Sequence, residues 1–533
     1  MSMTIGALFA ARAETYADKL FLQVPANAER AYHPEGYLCT YGEAQAQVSS
    51  MVATLKAAGY GHGHRIAALL ENRPEMLLLK LALSELGISW VPVNPDYRPA
   101  EVAYLLQDSG AELALVVREQ RALMEAGIAE SGLDVPMVEM GTTLPVLPQS
   151  KTAAPNTGPI TQETEASLIY TSGTTGRPKG CMLSHGYEVE MGQWYASRGG
   201  LIQFEAGVTK VYCPLPLFHV NAAILLFMAV IETGSAQITP ERFRASAWWR
   251  ELAETEATAA HYLGIVIPAL MNRAPEAWEK KHKVKFAVGA GVEPTLHRPF
   301  EERFGFPLIE VWGMTEMCRL LGDYEEPRRI DTRAMGRPQP GLDVRVVDGD
   351  DQEVPRGTPG EMVLRYSEET PRRGAFSGYL NLPEATEEAW RGGWFHTGDT
   401  VMMDETNMIT FVDRKKNIIR RSGENIAAAE IEACLQDHPA VERVAVVAVA
   451  DEMRDEEVMA CVQVIGAESE ALSQELFDWC FARLAYYKAP GWIRFHPDIP
   501  VTGTQKIQKH SLFGEGDDPT AGAADFRALK KRG

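Results

Sequence analysis

The sequence predicts an α/β protein: a large N-terminal domain of parallel-rich sheets with covering helices and a β subdomain, followed by a small α+β C-terminal domain. Three observations carry this. Helical and strand patterns alternate through the first half of the chain, short apolar runs broken by Gly, Pro and Asp fill residues 344–366, and the pattern changes near Asp413. Helix-to-strand alternation marks βα units, whose crossover helices cover both faces of a largely parallel sheet. With 533 residues the chain has room for several domains or one large core with an appendage.

Taken in order, residues 43–58 (EAQAQVSSMVATLKAA) place apolar side chains at helical spacing and stop at Gly59. Arg65 to Leu70 (RIAALL) reads as a buried strand, Pro74 to Leu86 as a helix and Ile88 to Val93 as another strand. Residues 150–166 (SKTAAPNTGPITQETEA) are poor in hydrophobic side chains and read as a surface connection, because βα patterning resumes at once. Ser167 to Tyr170 ends a buried strand, and Gly180 to Leu183 opens another apolar run. Val344 to Tyr366 suggests antiparallel β structure. Beyond Asp413 come a helix at Ala427 to Leu435, strands at Val441 to Val449 and Glu457 to Val464, and a helix at Ser473 to Leu484. The domains expected are therefore 1–412 and 413–533. The stretch Gly514 to Gly533, polar and rich in Gly and Ala, is expected to fray or dock loosely.

Hydrophobic residues make up 45% of the chain and charged ones 23%, enough to bury a core. The formal charge of −20 disfavours nucleic acid and anionic lipid as partners, since a phosphate polymer needs a basic face. The seven cysteines contain no C-x-x-C clip, which argues against a disulfide framework or zinc knuckle and for a reducing cytoplasm. The N-terminal MSMTIGALFAARAETYADK lacks a positive residue ahead of its apolar patch, and the apolar run Ala222 to Ile231 is far shorter than the ~18 residues of a membrane span. A cytoplasmic protein without a transmembrane segment is expected. A homodimer is left open.

The most informative segment is SLIYTSGTTGRPKGCMLSH, Ser167 to His185. Its glycines let the backbone turn tightly with N–H groups inward, and Thr171, Ser172, Thr174, Thr175 and Lys179 add donors suited to an anion. It is not a Walker A loop, because Lys179 follows Gly176 by three residues and precedes Gly180. No H-E-x-x-H motif or His/Cys cluster suggests a transition-metal site.

YTSGTTGRPKG resembles the signature loop of the adenylate-forming enzymes, the superfamily of acyl-CoA synthetases, luciferase and peptide-synthetase adenylation domains. Further matches follow in the family's order: VWGMTE at 311–316, GWFHTGD at 393–399, DRKKNIIRRSGENI at 413–426 and TGTQKIQK at 502–509. Residues 241–271 and the C-terminal sequence most resemble the carnitine/crotonobetaine-CoA ligase-like branch. The resemblance implies a phosphate loop of Thr171, Ser172, Gly173, Thr174, Thr175, Gly176 and Lys179. It implies adenine contacts from Gly291, Val292, Glu293, Glu310, Trp312, Gly313 and Met314, with Trp312 stacking where the family usually has Tyr. Val292 and Glu293 depart from the family's commoner small-residue-then-Pro pattern. Thr315 would bond a phosphate oxygen and Glu316 would bind Mg²⁺, a hard cation that prefers oxygen ligands. Asp399 would accept from the ribose hydroxyls, with Arg414 as a second contact.

The resemblance further implies that the C-terminal domain is mobile, with Lys416 as its hinge. Ser422, Gly423 and Glu424 would form the turn beside which the pantetheine arm of CoA passes. Lys506 matches the catalytic lysine of the family, although Gln505 replaces the usual preceding glycine. An acid pocket is implied around His219, Val220, Tyr262, Gly289, Gly291 and Cys318, and Trp194, Tyr195, Trp248, Trp249 and Tyr262 are candidates for an aromatic cage should the acid be a quaternary ammonium. The activity implied is an AMP-forming acid–thiol ligase using ATP, Mg²⁺ and coenzyme A on a small carboxylic acid. The alternatives are an adenylating enzyme that loads a carrier protein, a luciferase-like oxygenase, or a non-catalytic nucleotide-binding protein. Loss of Lys506 or Glu316 would favour the last, and both are present.

Overall fold

Helix Pro74–Glu85 is buried along its entire length up to Ser84, and a helix apolar all round must lie between layers. It does: it touches strand Leu20–Val24 of one sheet and strand Ser89–Pro92 of another. The computed structural model describes residues 3–171, 177–264, 266–414, 418–500, 509, 512–514 and 516–531. Pro74 opens the helix where no intrahelical N–H is needed. Its one basic residue, Lys80, is fully buried and donates to Ser167 Oγ and Glu188 Oε1, each at 2.8 Å. That pair ties the helix to the strand that leads into the Thr171 loop, and breaking either partner would leave a buried charge uncompensated at a cost of about 3–5 kcal/mol.

The first sheet has eight strands, in spatial order Met317–Gly322, Leu308–Met314, Phe286–Ala290, Ala259–Leu263, Lys210–Tyr212, Ala236–Ile238, Leu20–Val24 and Tyr37–Thr40. All neighbours run parallel except at the two edges. The second has seven strands: Gly378–Tyr379, Lys179–Ser184, Glu165–Thr171, Ser89–Pro92, Arg65–Leu69, Leu113–Val116 and Met137–Glu139. Its last five run parallel and its first three antiparallel. The expected elements between 43 and 93 are present within about two residues of their predicted ends: helix Tyr41–Ala57, with a capping box from Thr40 and Glu43, then Arg65–Leu69, Pro74–Glu85 and Ser89–Pro92. The segment after 166 differs from the expected βα unit. Glu165–Thr171 and Lys179–Ser184 form a hairpin before helix His185–Ala196 begins.

The antiparallel β subdomain is a five-stranded sheet ordered Ala334–Gly336, Ile409–Arg414, Phe395–Met403, Gly360–Arg365 and Asp343–Val347. The next described strand, Ile418–Arg421, belongs to another sheet with Glu424–Ala427, Val441–Asp451, Asp455–Val464, Trp492–Phe495 and Ala524–Asp525. Helices Ala428–Gln436 and Glu470–Arg483 complete this α+β unit, which has its own apolar core. Here the expectation for the tail is corrected. Ala524–Asp525 pairs with Trp492–Phe495, Phe526 stacks on Phe477 at 4.9 Å, and the buried Lys530 bonds the buried Glu457. A few apolar and charged anchors dock a segment whose composition alone reads as loose.

Candidate active site

A cavity of about 740 Å³ opens at the carboxyl ends of the parallel strands, where open α/β sheets place their ligands. Thr171 and Lys179 line it as opposite members of the hairpin neck, Cα partners in the strand register. Lys179 Nζ stands 4.6 Å from the centre of the Tyr379 ring. Ser172, Gly173, Thr174, Thr175, Gly176, Lys416 and Lys506 lie outside the described residues, as does the side chain of Arg414.

Facing the hairpin neck, Thr315 and Glu316 form the two-residue turn between strands Leu308–Met314 and Met317–Gly322, whose Met314 and Met317 pair across it. The turn is held from three sides. Tyr187 donates to the Thr315 carbonyl at 2.9 Å, the Phe376 amide to the Glu316 carbonyl at 2.9 Å, and the Tyr379 hydroxyl to the Glu316 carboxylate at 2.8 Å. Burial raises the Glu316 pKa, against the Tyr379 hydrogen bond and the Lys179 charge. Tyr379 carries no local sequence signal, since it reaches the site only through the short edge strand Gly378–Tyr379.

Glu310 does not line the cavity but shapes its wall. It is half-buried, and its carboxylate accepts from the Tyr262 hydroxyl at 2.7 Å and from the amides of Gly291 and Val292 at 2.9 and 3.3 Å. Burial raises its pKa, with these hydrogen bonds acting in opposition. The turn it clamps needs its glycines: Gly291 has φ +87°, and a Cβ on Gly289 would lie 2.3 Å from the Tyr262 carbonyl. Gly289, Gly291, Gly313 and Met314 line the cavity, whereas Val292 is buried and Glu293 pairs with Arg333 outside it.

Three expected contacts, those of Trp312, Cys318 and Tyr262, are relocated. Trp312 is 5% exposed and donates its indole N–H to Asp399 Oδ2 at 2.7 Å, so the cavity wall there is Val311, Gly313 and Met314 while the indole braces a carboxylate. Strand alternation explains this: Gly313 faces the cavity and its neighbour faces away. Asp399 itself lines the cavity. Cys318 is fully buried beneath the Gly374 backbone and does not line the cavity, nor does Tyr262, turned toward Glu310. None of the five candidates for an aromatic cage lines the cavity. Trp194, Tyr195, Trp248, Trp249 and Tyr262 are all 4% exposed or less and sit in the packed core.

His219 and Val220 do line the cavity, and past them lies Asn221. Its Oδ1 is 2.7 Å from Nδ1 of the buried His261, whose Nε2 is 3.0 Å from the Tyr195 hydroxyl. Burial pushes the His261 imidazole down to about 3, so it is neutral and has one donor and one acceptor nitrogen. The buried Tyr195 proton has no acceptor other than Nε2 among the described residues, and stranding it would cost about 1–3 kcal/mol. The proton order is thus fixed: Tyr195 donates to Nε2, and Nδ1–H donates to Asn221 Oδ1.

The remaining wall comes from the C-terminal unit. Ser422, Gly423 and Glu424 line the cavity, with Gly423 at φ +87° and a Cβ there only 2.4 Å from Leu263 Cδ1. Glu424 lies 3.6 Å from His219 Nε2. Beside them Lys488, buried, donates to Glu101 at 2.6 Å and Glu430 at 2.8 Å, and the Asn94 amide donates to the Tyr487 hydroxyl at 3.1 Å. Burial works to lower the Lys488 pKa, but the two carboxylates outweigh it and hold the ammonium above the ordinary lysine range. Nothing in YYKAPG distinguishes this lysine from an exposed one; only the meeting of distant segments does.

A cavity walled by a hydroxyl-and-lysine hairpin neck and a buried acidic turn, with a separate α+β unit supplying its last side, defines a class of enzyme that holds a nucleotide between two parts of one chain. Comparison with known proteins is consistent with that class and narrows it. The profile of the AMP-binding enzyme family matches residues 9–380, that of the AMP-binding enzyme C-terminal domain matches residues 430–506, and the chain belongs to this family. It is 31% identical over 521 residues to a sulfoacetate–CoA ligase of Cupriavidus necator, covering 96% of this chain and 97% of the relative. It is 28% identical over 516 residues to a crotonobetaine/carnitine–CoA ligase of Salmonella arizonae, covering 93% and 96%. Among solved structures, a double mutant of o-succinylbenzoate CoA synthetase from Bacillus subtilis, bound with its product analogue, superposes with a TM-score of 0.80 at 24% identity, over 95% of this chain and 98% of that one. No helix among the described residues is long and apolar enough to cross a membrane.

Proposed function

We infer that this chain is an AMP-forming carboxylic acid–CoA ligase that activates a small acid with ATP and passes the acyl group to CoA. The observation that carries the reading is the shared cavity. The Thr171–Lys179 neck, the Thr315–Glu316 turn and Asp399 offer donors and carboxylates suited to a nucleotide, while the Ser422–Glu424 turn adds a second wall beside the apolar pocket. Full-length similarity to two CoA ligases supports the same chemistry.

In the first half-reaction the acid's carboxylate oxygen attacks the α-phosphorus of ATP, a C–O–P bond forms, and pyrophosphate leaves with the broken P–O bond. No general base is needed, because a carboxylic acid is already ionised at neutral pH. Negative charge grows on the phosphoryl oxygens, so Lys506, Thr315 and the loop Thr171 to Lys179 would stabilise the transition state electrostatically. Glu316 fits a Mg²⁺: it is a cavity-lining carboxylate whose ionised form is disfavoured by burial, and a hard divalent cation would relieve that penalty. Bound there, the ion would neutralise phosphate charge. Asp399, fixed by the Trp312 indole, would accept from the ribose hydroxyls.

In the second half-reaction the CoA sulfur attacks the acyl carbon, the carbon–oxygen bond to AMP breaks, and AMP leaves. The division at 412/413 would let the C-terminal unit rotate about Lys416, exchanging Lys506 for the Ser422–Glu424 turn. The presence of that turn in the cavity favours assigning the described arrangement to thioester formation. The setting proposed is the cytoplasm, where ATP and CoA are available. The test is a panel of acids, including sulfoacetate and crotonobetaine, assayed for pyrophosphate and AMP with and without CoA. CoA consumed one for one with AMP is expected, and absence of AMP with every acid would refute the assignment.

A further inference from the structure

The acid pocket has one polar fixture whose orientation is set by the core. Asn221 begins the π-helix Asn221–Leu226, a rare geometry that recurs at functional sites, and Leu225 further along it also lines the cavity. The Tyr195–His261–Asn221 chain turns the amide oxygen inward, toward the core. The amide nitrogen, with two N–H donors, has no hydrogen-bond partner among the described residues. A donor held in place beside the apolar side chains of Phe218, Val220 and Leu225, with His219 the polar neighbour in the same wall, discriminates by the cost of leaving it unpaired.

Resting on the ligase reading, we propose that Asn221 is a specificity-determining residue that donates to an oxygen on the tail of the carboxylic acid, selecting acids that carry a carbonyl, hydroxyl or oxyanion group over plain alkanoates and quaternary ammonium acids. The cationic acids are disfavoured because an N–H donor repels a cation, and no tryptophan among the described residues lines the cavity. His261 and Tyr195 are positioning residues, acting on the acid only through the amide they orient.

The test uses the enzyme and pairs of acids of equal length in which one tail methylene is replaced by a carbonyl at successive positions, such as pentanoate against 4-oxopentanoate, with 4-(trimethylammonio)butanoate, which has no tail oxygen, as the cationic probe. The readout is AMP released with CoA. The expected result is a kcat/KM ratio of about tenfold or more favouring at least one oxo acid, carried mainly by KM. Asn221→Leu, similar in volume but without the donor, should bring that ratio close to one. Asn221→Asp, similar in shape but acceptor-only, should bring it below one. Equal kcat/KM for all pairs in the wild type, a preference for 4-(trimethylammonio)butanoate, or an unchanged ratio in both variants would overturn the inference and leave the ligase reading standing. Absence of AMP with every acid would overturn both.

Discussion

Lys488→Met should separate the two half-reactions. In the described arrangement Lys488 bridges Glu101, on helix Pro99–Ser109 of the large body, and Glu430, on helix Ala428–Gln436 of the C-terminal unit, with side chains only 3, 7 and 8% exposed. Removing the ammonium leaves two carboxylates facing each other across the junction with little water. Breaking such a buried pair costs about 3–5 kcal/mol; since one carboxyl can take up a proton, the lower end applies, about 3 kcal/mol or roughly 100-fold in the population of this arrangement. Thioester formation from pre-made acyl-adenylate and CoA should slow by about that factor, while pyrophosphate exchange, which in the proposed mechanism uses the rotated arrangement, should hold or rise. The double variant Lys488→Met/Glu101→Gln removes one of the facing carboxylates and should recover at least about tenfold of the lost rate, a coupling that independent sites would not show. Equal slowing of both half-reactions, or a double variant no better than the single, would refute the reasoning.

Three further outcomes test the proposed roles. Lys506→Ala should reduce adenylation by about 100-fold or more while sparing thioester formation from acyl-adenylate, and equal loss of both would remove Lys506 from the role assigned to it. Glu310→Gln puts an amide N–H₂ where a carboxylate oxygen accepts the Gly291 and Val292 amides. The loss of about 1.5–2 kcal/mol should raise KM for ATP by roughly 10- to 30-fold, and an unchanged KM would contradict the clamp. The oxo-acid preference should stay constant from pH 5 to 8. Burial lowers His261 to about 3 from 6.5, so the folded relay remains neutral, while the stability it contributes above pH 6.5 is lost progressively as pH falls from 6.5 to about 3. A preference that collapsed with a midpoint near 6.5 would show that His261 titrates in the open.

Much of the nucleotide half was legible because it lies in contiguous motifs. Thr171 and Lys179, Thr315 and Glu316, and Gly289 and Gly291 each derive their placement from a turn encoded in a few neighbouring residues, and all reach the cavity. Side-chain direction was less legible. Trp312 and Cys318 stand within three residues of the Thr315–Glu316 turn, yet strand alternation and packing turn both away from the cavity. The cage candidates failed for a related reason: large aromatic residues gain most by complete burial, and each found a place in the core.

By itself the sequence determined the α/β class, the ordered motifs, the turn-forming glycines, and a charge balance unsuited to nucleic acid. These follow from local periodicity, turn chemistry and composition. Only the tertiary structure decided that Tyr379 braces Glu316, that Lys488 joins Glu101 to Glu430, that the tail docks through Phe526 and Lys530, and that Tyr195 and His261 orient Asn221. Each links residues tens to hundreds of positions apart. The chemistry of one side chain then depends on which distant group burial forces against it, and no local spacing in the chain records that meeting.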